Sequence, residues 1–375
     1  MKFAVFTHVD HFSHNGKYYA YAPYVREMNL WFKYVEEIEI VAPLTFKEIT
    51  QEIPYAHDRI KFRTIPSINF KSLRSTIVSI GNIPGIFLAI AKAMKRADHL
   101  HLRCPGNIGL LACFLQVFFP KKSKTAKYAG NWDPKASQPV SYKLQRWLLS
   151  NRLLTKNMTV LVYGQWGESS KNIRSFFTST FFKREIAEVK EKEFVSPYLF
   201  LFVGNLVSGK QPELVIKLIK ELIEAGVHCN LEIYGEGKER QALEKSVKFN
   251  NLQSTVKFKG NSPIDVVKEA YQRSHFLILP SLSEGWPKVV AEAMFFGVIP
   301  IVTEVSCIPM MLNNGKRGIL LPSTIQGNNL EKPVSEILTL LKDKGKMEEM
   351  STAAKAWSQK FTVEDFDTAI KELFT

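Results

Sequence analysis

The chain has 375 residues, 45% of them hydrophobic and 23% charged, with four widely separated cysteines and a formal net charge of +14. This composition is globular and excludes a disordered or collagen-like chain, and without a CxxC pair it argues against a zinc site or a disulfide framework. The opening "MKFAVFTHVDHF" is too short for a signal peptide, and the longest apolar run, residues 108–119, is too short to span a membrane, so a cytoplasmic chain that does not cross the bilayer is expected.

Taken in chain order, short apolar or β-branched runs read as buried strands at residues 3–8, 38–43, 99–103, 125–130 and 159–164. Helical spacing separates them at residues 18–34, 83–96, 108–119 and 142–154. The charged stretch at residues 183–197 reads as a linker. A second series follows, with strands at 198–204, 229–235, 255–260, 275–280, 298–303 and 318–322. Its helices fall near 212–225, 238–249, 264–273 and 289–296. Alternation of this kind implies an α/β fold of two doubly wound parallel sheets. The expected domains are 1–185 and 186–355, with a closing helix at 356–375 packing back on the first domain. Ligands of such sheets bind beyond the carboxyl ends of the strands, so a cleft between the domains is expected. Neither half opens with GxGxxG or a phosphate loop of the GxxxxGK type, which disfavours a nicotinamide enzyme or a kinase of that class.

Charge is uneven. Residues 1–190 carry 28 Lys and Arg against 13 Asp and Glu, whereas residues 191–375 are nearly balanced. Within residues 59–103, nine basic residues (Arg59, Lys61, Arg63, Lys71, Arg74, Lys92, Lys95, Arg96 and Arg103) face one acid, Asp98, around the apolar "IGNIPGIFLAIAKAM". Basic and apolar together favour the face of an anionic membrane over nucleic acid, for which no recognition motif is present.

"PSLSEGWPKVVAEAMFFGVIPIV", residues 280–302, places two carboxylates in an apolar stretch. Glu284 precedes a helix start, whose backbone amides at Gly285, Trp286, Lys288 and Val289 are available to a phosphate. Glu292 lies inside the helix among Val289, Val290, Ala291, Ala293 and Met294, where a carboxylate needs a partner; two adjacent ribose hydroxyls would suit it.

This segment resembles the signature of retaining family-4 glycosyltransferases of the GT-B fold, an E-x7-E pattern followed by E-A-M-x-x-G-x-P. "FLFVGNLVSGKQPELVIKLIKEL" and "LEIYGEGKERQALE" continue the resemblance in the family's order, so it covers most of residues 197–322. It implies two facing Rossmann-like domains. It also implies a sugar moved from a nucleoside-diphosphate donor to a lipid-linked or polysaccharide acceptor, in cell-surface polysaccharide synthesis at the inner membrane face. By the resemblance, Glu284 contacts the donor sugar, Glu292 the ribose and Lys210 the diphosphate, with Gly204, Asn205 and Gly235 beside them. No metal and no cofactor beyond the nucleotide-sugar substrate is implied. Asn205 stands where the family usually has Arg, Pro287 where it has Gly, and Pro309-Met310 where it has Pro-Glu.

In the first half, "HVDHFSHNGKYYAYAPY" holds Gly16 and His14 on a loop that family members place near the diphosphate and acceptor. "YAGNWDPKA" offers Asp133 to act on an acceptor hydroxyl and Trp132 either to stack on a sugar or to fill the core. Arg103 is a candidate phosphate contact. Asp365 and Asp367 form a nominal DxD, read as the acidic first turn of an amphipathic helix. An epimerase or phosphorylase of the same fold, or a catalytically silent nucleotide-sugar-binding protein, are the alternatives.

Overall fold

The computed structural model describes residues 1–46, 52–70, 72–166, 170–323 and 330–374; Lys71 of the basic segment lies outside them. The chain forms two compact units, Met1–Phe177 with Asp367–Thr375, and Thr178–Phe366. The two units divide at 177/178 and again at 366/367, where the sequence pattern suggests 185/186 and 355/356.

The first unit runs β1 (Lys2–Phe6), β2 (His11–His14), β3 (Lys17–Tyr21), α1 (Ala22–Phe32), β4 (Glu37–Ala42), β5 (Glu52–Pro54), β6 (Ile60–Thr64), α2 (Leu73–Arg96), β7 (His99–Cys104), α3 (Asn107–Leu115), β8 (Ser123–Tyr128), α4 (Val140–Ser150), β9 (Met158–Tyr163) and β10 (Ile173–Phe176). Seven strands pair in parallel in the order β10-β9-β8-β7-β1-β4-β6. Right-handed crossovers place α1 on one face and α2, α3 and α4 on the other. Strand alternation matches this: Ala4, Phe6, Leu100, Leu102 and Ala126 join the core under α2–α4. Phe3, by contrast, packs on Trp31 of α1 at 6.3 Å and on Phe374 at 5.8 Å.

Two helices begin elsewhere than the sequence pattern predicts. Residues 18–34 are not one helix, because Asn15 and Gly16 take φ of 48° and 73° and close a hairpin between β2 and β3. Positive φ at both turn positions fits Asn-Gly and matches the twist of the strands. The helix α1 then starts at Ala22 with Pro23 in its first turn. The helix expected at 83–96 begins ten residues earlier. Ser72 and Ser75 form a reciprocal cap (Ser72 Oγ accepts the Ser75 amide at 3.2 Å, Ser75 Oγ the Ser72 amide at 3.0 Å), and the helix continues through Pro84.

The second unit runs β11 (Tyr198–Val203), α5 (Pro212–Glu224), β12 (Cys229–Tyr234), α6 (Arg240–Phe249), β13 (Val256–Gly260), α7 (Ile264–Arg273), β14 (Phe276–Leu279), α8 (Lys288–Phe295), β15 (Ile299–Thr303), α9 (Ile308–Met311), β16 (Ile319–Leu321), α10 (Glu331–Leu341) and α11 (Lys344–Ser358), and α12 (Val363–Lys371) begins in it and ends in the first. Its six strands are parallel in the order β13-β12-β11-β14-β15-β16. Order reverses at β11, so the crevice beyond the ends of β11 and β14 is the switch point where ligands of such sheets sit. The expected linker includes a 3-10 turn at Lys183–Glu188, tied to α7 by Lys268 ion pairs with Glu185 and Glu188 at 2.7 and 2.6 Å.

Candidate donor site

Three loops meet at that switch point. After β11, the Gly204 amide donates to the Tyr234 carbonyl at 2.9 Å, and the Leu206 amide to the Glu236 carbonyl at 2.9 Å. Gly235 is required by the close approach: a Cβ there would lie 2.0 Å from the Gly204 carbonyl oxygen. A 3-10 turn at Ser208–Lys210 follows, and left-handed Gln211 redirects the chain into α5 behind Pro212. The Leu282 amide donates to the Gly209 carbonyl at 2.9 Å, which fastens the loop after β14 to the loop after β11.

This fastening brings Lys210 and Glu284, 74 residues apart, into an ion pair between Nζ and Oε1. The Glu284 side chain is 9% exposed and that of Lys210 is 27% exposed. From below, the loop after β15 holds the Glu284 turn. Ser306 Oγ and Cys307 Sγ both donate to the Gly285 carbonyl at 3.2 Å. Burial pushes the Cys307 thiol up to about 12, so it is a neutral donor there. Pro287 is the N-cap of α8, so the amides of Lys288 and Val289 open the helix and have no acceptor within it. Asn205 is exposed.

Glu292 has partners from its own chain. Oε1 accepts from Thr180 Oγ1 at 2.6 Å and Oε2 from the Tyr271 hydroxyl at 3.2 Å. Burial and the adjacent carboxylate raise the Tyr271 phenol well above its usual range, so it stays a donor. The crevice before Glu292, lined by Thr180, Trp286, Lys288 and Ala291 among others, has a volume of about 20 Å³. That is room for a water, not a ribose. The two chain hydroxyls thus occupy the pattern in which a ribose diol was expected. Neither Thr180 nor Tyr271 carried a sequence signal: a lone Thr beyond a strand and a Tyr on an amphipathic helix are ordinary.

The expected contact of Trp286 is its backbone amide; its side chain has a separate job. Its ring is buried, stacked on Trp357 at 6.1 Å and edge-on to Phe361 at 5.8 Å, so the side chain serves packing against α11 and its C-terminal turn.

In the first unit, the five expected site residues fall in four separate settings. Trp132 is 4% exposed and edge-on to Tyr128 at 4.8 Å within the core, so it offers no face to a sugar. Asp133 caps its own turn, its Oδ1 accepting the Lys135 amide at 2.8 Å, while Arg146 donates to its carbonyl at 2.8 Å. Arg103 is buried and ion-paired with Glu27, and its guanidinium lies 5.2 Å from the Tyr24 ring centre. Burial opposes its charge, but Glu27 more than offsets this and holds its pKa up. Lys127 reaches the same Glu27 at 3.0 Å. Gly16 is the exposed hairpin tip and His14 is exposed beside it, 6.5 Å from the Tyr19 ring, so turn geometry alone accounts for the glycine.

Two further groups of the loop after β1 line a cavity in the same unit. His8 and Asp10 follow β1, beside Gly106 and Asn107 at the start of α3, and line an open cavity of about 610 Å³ with Asn69 and Tyr142. Burial, and then Arg103, lowers the His8 pKa. His11 is enclosed between the Val9 carbonyl and the Tyr55 hydroxyl, apart from exposed His14, so the three loop histidines do not converge. Asp365 caps Thr362 and Asp367 pairs with Lys33 at 3.3 Å, which separates the nominal DxD into two structural jobs.

Comparison with known proteins agrees with this architecture. Residues 183–357 match the family model described as glycosyl transferases group 1. An uncharacterized glycosyltransferase of Methanocaldococcus jannaschii is 28% identical over 174 residues, covering 46% of this chain and 47% of that one. A Campylobacter jejuni alpha-1,4-N-acetyl-D-galactosaminyltransferase, named for a diNAcBac-PP-undecaprenol-linked acceptor, is 32% identical over 133 residues and 35% of each chain. The chain thus spans about half the length or less of these relatives. Among solved structures, Anabaena HepE in complex with UDP and glucose superposes with a TM-score of 0.67 at 14% identity, covering 100% of this chain and 99% of that one, which establishes the GT-B fold. The segment that builds the Lys210–Glu284 site is thus the part of the chain that is similar to the group 1 glycosyl transferases.

Proposed function

We propose that the protein transfers a sugar, with retention of configuration, from a nucleoside-diphosphate sugar to a glycan or lipid-linked acceptor. The observation that carries this reading is the Lys210–Glu284 pair at the switch point of the second sheet. As the glycosidic bond breaks, the nucleoside diphosphate gains negative charge, and a cation with aimed amides lowers that barrier. Lys210 and the opening amides of α8 are the groups for this task. In the donor-free protein Glu284 neutralises Lys210; a diphosphate competes for Nζ and frees the carboxylate for sugar hydroxyls. Glu292 has accepted two hydroxyls of its own chain, and a carboxylate offers about four lone-pair sites. Ribose binding requires the crevice of about 20 Å³ to open and exchanges the Thr180 hydroxyl for one of the sugar's. The acceptor class rests on relatives such as the Campylobacter enzyme, whose name specifies an undecaprenol-linked glycan.

The test is a panel of nucleotide-sugars scored by thermal stabilisation, where ligand at about a hundred times Kd adds about 2.7 kcal/mol. One donor is expected to stabilise the wild type, and Lys210→Ala to abolish the shift. No stabilisation by any of them would reject the reading. A second reading, a silent nucleotide-sugar-binding protein, is favoured by exposed, uncharged Asn205 and by the local use of Asp133. Donor binding without transfer to any acceptor and without donor hydrolysis selects it.

A further inference from the structure

Helix α2 has two apolar faces. Ile86, Ile90, Ala93 and Met94 are buried in the core. Leu73, Ile77, Ile80, Pro84 and Leu88 recur at spacings of four, three, four and four. At 3.6 residues per turn they fall within roughly 80° of arc, along about 22 Å of helix. All five are exposed, and the four aliphatic ones are each more than half exposed. The helix is long and apolar enough to cross a membrane by length and composition, but its other face is part of the folded unit.

A parallel stripe lies on α4, where exposed Val140, Leu144 and Trp147 follow the same spacing, with Trp147 58% exposed. Helix α3 packs against both α2 and α4 and adds exposed Phe114, with exposed Phe118 just beyond its end. The three helices share one face of the sheet, so the stripes belong to one outer surface. Exposed apolar rows on three neighbouring helices of one face mark an interaction surface.

Charge identifies the partner. No carboxylate occurs in α2, α3 or α4, and residues 59–166 hold eighteen Lys and Arg against Asp98 and Asp133. Lys92 and Lys95 stand exposed on α2, and Lys143 on α4. A second copy of this face would meet cations with cations. An anionic lipid surface satisfies both features: acyl chains accept the aliphatic stripes, headgroups the lysines, and Trp147 sits at the boundary where aromatic rings collect. We infer that the outer face of α2–α4 lies in the plane of an anionic membrane. The inference gives the lipid-linked acceptor of the proposed function its place, but its observations are independent of the donor site.

The structure also narrows the basic set. Arg96 is engaged with Glu39 through Nε at 3.1 Å and Nη2 at 2.5 Å, and Arg103 is buried against Glu27. Arg59 and Lys61 line a separate cavity beside Glu37 and Asp58.

The test is co-sedimentation with phosphatidylcholine vesicles, alone and with phosphatidylglycerol added. Binding to the mixed vesicles alone is expected at about 0.1 M salt, falling steeply as salt rises. Each lysine is worth about fivefold in partitioning, so Lys92→Ser with Lys95→Ser lowers it roughly 25-fold. Ile77→Ser with Ile80→Ser lowers it roughly tenfold or more through lost apolar burial. Each variant keeps the wild-type donor thermal shift, which separates this face from the donor site. Vesicle binding without any donor shift rejects the proposed function and leaves the membrane face standing. Binding to neither vesicle, or equally to both, overturns the inference. A dimer in light scattering that Ile77→Ser dissolves, or capture by duplex DNA with no vesicle binding, also overturns it.

Discussion

Lys210→Ala is the most informative single change, because the two partners of its ion pair are unequally buried. Glu284 is 9% exposed and Lys210 27%, so removing the lysine strands a carboxylate with little water, whereas removing Glu284 leaves an ammonium that solvent reaches. Losing one partner of a fully buried pair costs about 3–5 kcal/mol, and partial exposure lowers this to about 2 kcal/mol for Lys210→Ala. Glu284→Ala should cost about 1 kcal/mol, and the double variant no more than Lys210→Ala alone, a coupling of about 1 kcal/mol. At a urea slope of roughly 2 kcal/mol per molar, Lys210→Ala moves the midpoint by about 1 M, readable by circular dichroism. Turnover follows a different order. Loss of a charge-stabilising donor costs about 100- to 1,000-fold in kcat, and the double variant should not recover it. Additive stability losses would show that the pair does not interact. Wild-type turnover in Lys210→Ala would remove the lysine from the chemistry.

Trp132→Ala should destabilise the protein by about 3–5 kcal/mol through a core cavity, while the folded variant keeps its donor thermal shift; loss of donor binding at full stability would restore a sugar-stacking role. Thr180→Val should tighten nucleotide binding roughly fivefold, one competing hydrogen bond to Glu292 being worth about 1 kcal/mol, as read by calorimetry; weaker binding would mean that Thr180 itself contacts the donor. Stability should fall on acidification. Burial lowers His11 and His99 to about 4, so the unfolded chain takes up these protons first, from about pH 6.5 downward. Each histidine's contribution is present above that pH and is lost as pH falls through 4, about 2 kcal/mol of it by pH 5. A flat urea midpoint between pH 7.5 and 5 would contradict the burial of these rings.

Much of the second unit was legible because its strands are continuous apolar runs closed by glycines, and because Glu284, Glu292 and Lys210 recur in a family pattern. The ion pair itself was not legible. It depends on one backbone bond, Leu282 to Gly209, between loops that no local rule joins. The first unit was harder to read for a physical reason. Its edge strand β6 reads "IKFRT", alternating apolar and charged, and carries no buried-strand signal. The start of α2 was hidden because a proline inside a helix looks like a boundary, although the serine cap at Ser72, twelve residues upstream of it, fixes the true one. Asp133 and Trp132 had the right chemistry for a sugar site, but a turn and a core used them first. Composition cannot distinguish a carboxylate facing ligand from one accepting the amide two residues ahead.

The same distinction governs the basic half. A net charge invites every cation to be counted toward an external anion, yet Lys127 is fully buried and Arg103 nearly so, sharing Glu27 beneath the ends of β7 and β8. Two cations around one carboxylate there lower the His101 pKa further, after burial has already lowered it, and keep that ring neutral. Their charge organises the interior of the unit and is unavailable to a membrane. The cations left for lipid are fewer but better placed, because Lys92 and Lys95 border an apolar stripe. Headgroup attraction and acyl burial there act on the same helix, and each becomes effective at the depth the other sets. Attraction by this half should therefore depend less on its total charge than on three lysines and two rows of aliphatic side chains.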